Sequence, residues 1–288
     1  MKAKLKILSE LTKIRITSFV TLTAIFGYIC FSTELNLSLL YAVLGILLLA
    51  CGSAIINHIQ ESKTDALMDR TKNRPIPSGR IDVRDAVVVS LILVLFGSFL
   101  LAMNGIIPLI LGLLNLFWYN IVYTPLKKIS QFAIIPGSLV GAIPPAIGWT
   151  SAGGNLLDPQ ILIIAFFFFI WQIPHFWLLL LVLSKDYEKA GFPTLTKVFD
   201  LSQLSRITFI WIIATVVTSV LIPFFGIIKN PWLFISLLSV GIWLTLSAAK
   251  LLKNYEQNLN LKFAFREINI FALLVMLIIS LDQILFLL

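Results

Sequence analysis

The chain has 288 residues, of which 59% are hydrophobic and only 12% charged, with a mean hydropathy of +0.97. Such values fall outside the range of water-soluble domains and point to a polytopic membrane protein. The formal charge of +8 argues for no nucleic-acid partner, because the Lys and Arg residues lie in short stretches between apolar runs, as membrane topology requires.

The opening MKAKLKILSELTKIR is basic and leads into an apolar run that ends in FSTE without a small-x-small cleavage site. It reads as a retained cytoplasmic tail rather than a cleaved leader. A membrane-spanning helix needs about 20 apolar residues. Nine stretches qualify: about 16–33, 37–59, 85–103, 105–122, 131–150, 159–182, 207–226, 231–250 and 265–287. Cys30 and Cys51 fall inside these runs, without metal-ligand spacing, and read as small buried hydrophobes. With the N-terminus in the cytoplasm, 21 of the 22 Lys and Arg residues share that side and only Lys229 is opposite. The asymmetry predicts this orientation and places the polar loops after spans two, four, six and eight on the cytoplasmic face.

The second span runs into NHIQESKTDALMDRTKNRPIPSGR, residues 57–80. Asn57, Glu61, Asp65 and Asp69 recur every four residues and so share one helix face. Oxygen donors stacked in this way suit a hard divalent cation such as Mg²⁺. Arg70, Lys72, Arg74 and Arg80 follow at once and can hold phosphate oxygens that such a metal also bridges. Carboxylates followed by cations at a membrane surface predict a diphosphate site. His58 beside Asn57 carries less weight.

The fourth loop supplies Tyr123, Lys127 and Lys128, with lysine suited either to a phosphate or to anchoring the cytoplasmic side. In the next span Gly137, Gly141 and Gly148 allow close helix approach. Pro144 and Pro145 are expected to break that helix where it lines a cavity. The sixth span ends WQIPHFW, residues 171–177, and puts His175 at membrane depth among Trp171, Phe176 and Trp177. Two readings stand: a neutral histidine hydrogen-bonded between helices, or a contact to substrate or a proton-transfer group. Lys185, Asp186, Glu188 and Lys189 follow it. They read either as a solvated loop or as a second carboxylate site holding a second Mg²⁺ on the same diphosphate. The two acidic–basic loops, after spans two and six, hint at a duplicated design.

These blocks resemble the intramembrane aromatic prenyltransferase superfamily and, within it, the protohaem IX farnesyltransferase (haem O synthase) family. The resemblance rests on Asn57–Glu61–Asp65, MDRTKNRP (68–75), Tyr123-Thr124 with Lys127, GAIPPAIGW (141–149), WQIPHFW (171–177), and Asp186-Tyr187 with AGFP (190–193). It implies a single polytopic all-α domain over residues 1–288, with nine transmembrane helices around a central cavity in the bacterial inner membrane. The implied substrates are farnesyl diphosphate and haem B, with Mg²⁺ as cofactor, membrane lipid around the tail, and a haem A synthase or a terminal oxidase taking the product. Asn57, Glu61 and Asp65 are then metal ligands and catalytic residues, supported by Asp69 and Asp186. Arg70, Lys72, Arg74, Tyr123, Lys127, Trp171 and Asp186 contact substrate, and His175 touches haem or helps move a proton. Glu61 stands where the family usually has Asp, so its carboxylate reaches one methylene further. Ala190 stands where the superfamily's second motif has its second Asp.

Three rival readings fit parts of the pattern. A quinone-pathway prenyltransferase acting on an aromatic acid shares the fold, but WQIPHFW speaks against it. A secondary transporter also uses broken helices and a buried histidine, yet has no need of acids at four-residue spacing followed by Arg and Lys. A structural subunit of an oxidase explains none of the loop chemistry.

Overall fold

Long apolar segments cannot leave backbone N–H and C=O groups unpaired in hydrocarbon, so each closes its hydrogen bonds within itself as a helix. The computed structural model describes residues 2–253 and 258–285, and every regular element among them is helical. Eight of the described helices are long and apolar enough to cross a membrane.

A short amphipathic helix, α1 (Lys2–Leu11), precedes the first span, α2 (Ile14–Phe31). The bend between them sits at Lys13, whose φ of 50° makes it the one non-glycine residue with positive φ among those described. Leu11 is fully buried against Ile55, Ile76 and Ala86, and Glu10 pairs with Arg80 at 2.5 Å. The second span, α3 (Leu37–Asp65), starts at Asn36, whose side chain accepts from the Ser38 and Leu39 N–H groups. Its 29 residues extend about 43 Å at 1.5 Å per residue. That exceeds the roughly 30 Å hydrocarbon core, so the helix is long enough to carry Glu61 and Asp65, in its last turns, beyond the apolar stretch without a break. The third span is α4 (Val83–Ala102), which presents Leu91, Leu95, Phe96 and Phe99 outward, as a lipid-facing helix does.

The fourth span begins as α5 (Ile106–Phe117), widens into a π-helix over Trp118–Tyr123 and ends at Thr124–Leu126. The expected fifth span differs from the rest. A four-residue turn of helix, Ile134–Gly137, is separated at Ser138 from α6 (Leu139–Ser151). Neither piece is long enough to qualify alone, so the eight described helices that qualify by length and composition do not include the expected fifth span. The break also falls earlier than the proline pair predicts. Pro144 and Pro145 lie buried inside α6, which continues through them. Each proline forfeits its N–H donor and crowds the carbonyl four residues earlier, and the helix nevertheless continues through both where it is buried against its neighbours.

The remaining spans are α7 (Pro159–Val182), continuous through Pro174, then α9 (Leu201–Leu221), α10 (Pro231–Ala248) and α11 (Asn258–Leu285), with the short helix α8 (Ser184–Lys189) after α7. Residues 286–287 of the last expected span lie outside the described residues.

The core is built where α2, α6 and α7 meet. Phe167 and Phe168 are fully buried, and Phe168 packs edge-on against Phe26 and Trp171 with centroids 5.9 and 6.1 Å apart. Gly27 and Gly148 let α2 and α6 touch backbone to backbone. A Cβ on Gly148 would overlap the Ala24 carbonyl, and one on Gly27 would overlap that of Pro145.

Candidate active site

A cavity of about 420 Å³ lies between α2, α3, α5, α6 and α7. Successive turns of α3 line it from Asp65 through Glu61, Asn57 and Ser53 to Leu49 and Ile46. At 1.5 Å per residue this wall is about 28 Å long, polar at the Asp65 end and apolar at the Ile46 end. Such a shape suits an amphiphile with an anionic head and a hydrocarbon tail.

At the polar end each oxygen donor of the four-residue series has a cation of its own. Lys13 Nζ donates to Asn57 Oδ1 at 2.6 Å, Lys127 pairs with Glu61, and Arg74 Nη1 donates to Asp65 Oδ2 at 2.7 Å. Asn57, Glu61 and Asp65 are all buried. Burial pushes the Lys13 ammonium down to about 7, repulsion from Arg74 and Lys127 adding to it while Glu61 and Asp65 oppose it. Burial also works against the charge on Lys127, but the Glu61 carboxylate outweighs it and holds that ammonium above the ordinary lysine range.

The π-helix sets the aromatic wall. A widened turn displaces backbone carbonyls from regular helical pairing, and side chains collect them. Gln60 Nε2 donates to the Asn120 carbonyl at 3.0 Å and Thr124 Oγ1 to that of Tyr119 at 2.9 Å. Ser53 and Asn120 exchange two further bonds, and Asn57 Nδ2 donates to Thr124 Oγ1 at 3.1 Å. The same face of α3 that carries the acids therefore fixes the fourth span. Tyr119 stacks on Tyr123 (5.9 Å), Tyr123 on Phe176 (5.7 Å), and Lys127 lies 5.6 Å from the Tyr123 ring.

Nine of the twelve residues assigned to the site from the sequence line this cavity: Asn57, Glu61, Asp65, Arg70, Arg74, Tyr123, Lys127, Trp171 and His175. Asp69, Lys72 and Asp186 do not. Asp69 is exposed and pairs with Lys72 at 3.0 Å and Lys189 at 2.5 Å, joining the loop after α3 to α8. Those two ammonium groups, Lys189 foremost, draw its carboxyl down to about 2. From α8 it is Tyr187, not Asp186, that reaches the cavity.

Sequence reasoning missed Lys13, Tyr119, Tyr187 and Asn269, all in the lining. Lys13 looked like one more cytoplasmic anchor charge. Asn269 left the clearest signal, an amide inside an apolar span.

The donor set fits a hard cation. The second carboxylate oxygen of Asp65, Oδ1, is buried without a hydrogen-bond partner, and Glu61 and Asn57 lie one and two turns up the same face. No group of three or more His, Cys, Asp or Glu gathers anywhere among the described residues. Mg²⁺ sites use one or two carboxylates with substrate phosphates as further ligands, and Asp65 and Glu61 supply two on one face.

Residues 19–273 match the UbiA prenyltransferase family. The chain belongs to that family. A relative from Oleidesulfovibrio alaskensis named protoheme IX farnesyltransferase is 32% identical over 280 residues, 97% of each chain. Among solved structures, a digeranylgeranylglyceryl phosphate synthase superposes with a TM-score of 0.80 over 99% of both chains at 20% identity. A UbiA homologue from Archaeoglobus fulgidus, bound to GPP and Mg²⁺, superposes with a TM-score of 0.63 over 95% of this chain and 99% of its own at 14% identity. The UbiA fold thus accounts for an all-helical membrane protein with a polar site at one end of its cavity.

Proposed function

We propose that this chain transfers the farnesyl group of farnesyl diphosphate to a vinyl group of haem B, with addition of water, giving haem O and diphosphate. The observation that carries the reading is the cavity itself. Three oxygen donors with paired cations stand at the mouth of an apolar, aromatic-walled chamber, in a chain similar over its length to a protoheme IX farnesyltransferase.

Asn57, Glu61 and Asp65 would hold Mg²⁺, which when bound neutralises charge on the departing diphosphate. Arg70, Arg74, Lys127 and Lys13 are placed to receive phosphate oxygens, the last three by turning from their present partners. Asp69, Lys72 and Asp186 form the outer rim. As the bond from the allylic carbon to diphosphate oxygen breaks, the stacked rings of Tyr119, Tyr123 and Phe176 face the positive carbon and stabilise it without capturing it. The vinyl carbon of haem then forms the new bond, and water adds to the resulting cation and releases a proton. Trp171 and His175 stand on the acceptor side. The N-terminus and the polar mouth lie on the cytoplasmic side of a bacterial plasma membrane, the side that carries 21 of 22 Lys and Arg residues. A haem A synthase or a terminal oxidase is the consumer of the product.

Expression in a host lacking its own haem farnesylation tests this. Haem B gaining the mass of a farnesyl group and a hydroxyl is expected. Farnesylation of an aromatic acid with none on haem B would overturn the acceptor. In purified protein, chelation of divalent metal should cut diphosphate release by roughly a thousandfold, the loss of several kcal/mol of charge stabilisation. Added Mg²⁺ should restore it, and release that survives chelation would remove the metal from the site.

A further inference from the structure

The histidine of α7 is held by a bond whose direction can be deduced. Asn269 on α11 donates its amide Nδ2 to the Phe265 carbonyl one turn earlier, at 2.5 Å. The other amide atom, Oδ1, lies 2.8 Å from His175 Nδ1. The reverse amide orientation would set two acceptor oxygens against each other at Phe265 and is disfavoured on that account. Oδ1 accepts only, so Nδ1 must carry the proton. In a neutral imidazole the lone pair then belongs to Nε2.

The imidazole ring itself is confined. Trp171, Phe265 and Phe176 surround it with centroids 4.8, 5.1 and 5.5 Å away. Trp171 is itself fixed to α11, its Nε1 donating to the Ile268 carbonyl at 3.0 Å. Nε2 makes no hydrogen bond among the described residues, and His175, Trp171, Phe176 and Asn269 all line the cavity.

We infer that Asn269 holds His175 with Nε2 as an axial ligand for the iron of haem B, which fixes the porphyrin while its vinyl group reacts. The inference rests on haem B being the acceptor. Coordination requires a neutral imidazole and nothing more. A proton-accepting role would leave an imidazolium backed by a neutral amide where catalytic histidines have a carboxylate. The arrangement of ligand nitrogen, N–H on the far side and fixed acceptor is that of metal-binding histidines generally.

Purified full-length protein titrated with ferric haem B provides the test. The wild type should give the absorption and EPR signature of imidazole-ligated haem. His175→Ala should lose it, and free imidazole should restore it. Asn269→Leu should weaken haem affinity about tenfold to a hundredfold, as loss of such supporting bonds does elsewhere. Asn269→Asp, which keeps the acceptor, should retain ligation. Metal-free protoporphyrin IX should bind wild type and His175→Ala equally. Identical haem spectra for wild type and His175→Ala would overturn the inference, as would parallel loss of haem and metal-free porphyrin, which marks a packing role. Failure of the functional reading looks different: the wild type would show His175 ligation and form no haem O.

Discussion

Asp65→Asn should lower prenyl transfer by roughly a thousandfold, a loss of about 4 kcal/mol of transition-state stabilisation, in protein that still folds into the membrane. Asp65 is fully buried at the cavity mouth, with Oδ2 on Arg74 at 2.7 Å and Oδ1 unpartnered. Asparagine has the same shape but one oxygen. Its oxygen would turn to the Arg74 guanidinium, because an NH₂ facing that donor is repelled. The NH₂ would then face the cavity where the proposed cation binds. The substitution thus removes the free oxygen and replaces it with positive hydrogens. The same change at Asp69 should cost about tenfold or less, since exposed ion pairs are worth about 0–1 kcal/mol and Asp69 lies at the rim on Lys72 and Lys189. Diphosphate release and haem O formation in membranes, with size-exclusion profiles as the folding control, read out both. Haem O formation at the parental rate by Asp65→Asn would remove Asp65 from the metal site.

Much of this arrangement was legible because bilayer physics is restrictive. Spans two and six, predicted at 37–59 and 159–182, are realised as Leu37–Asp65 and Pro159–Val182. The four-residue spacing of Asn57, Glu61 and Asp65 translated directly into one buried face, since helical periodicity is all that projection needs. Two features escaped for identifiable reasons. A π-turn has no sequence period of its own, so Tyr119 could not be separated from the apolar face of its span. The place of Lys13 depends on a left-handed backbone residue between α1 and α2, and charge counting treats every basic residue near the surface alike. Proline misled in the opposite direction: the pair at 144–145 suggested a broken helix, whereas the discontinuity sits at Ser138. What proline does to a helix depends on which carbonyls its neighbours can satisfy, and that is a property of packing.

Gly148→Val should destabilise the fold by about 3 kcal/mol or more, above the usual 1–3 kcal/mol of core overpacking, because what stands in its way is backbone. A Cβ there overlaps the Ala24 carbonyl and reaches the Tyr28 amide, while across the same contact a Cβ on Gly27 would meet Pro145. A flexible side chain can swing aside, but a carbonyl held in the helical ladder of α2 moves only with the helix. The valine would therefore drive α6 away from α2. Helices in a bilayer associate through close van der Waals packing of small residues, so little else would draw them back. The consequence reaches the site, since α6 carries Gly141, Pro144 and Ile147 in the cavity wall. The expected result is a lower unfolding midpoint in detergent and a fall in transfer with both substrates saturating. That differs from Asp65→Asn, where the midpoint holds and only chemistry is lost. A Gly148→Val protein with the parental midpoint would show that α2 and α6 do not approach closely. The cavity wall formed by α6 would then need a different set of neighbours.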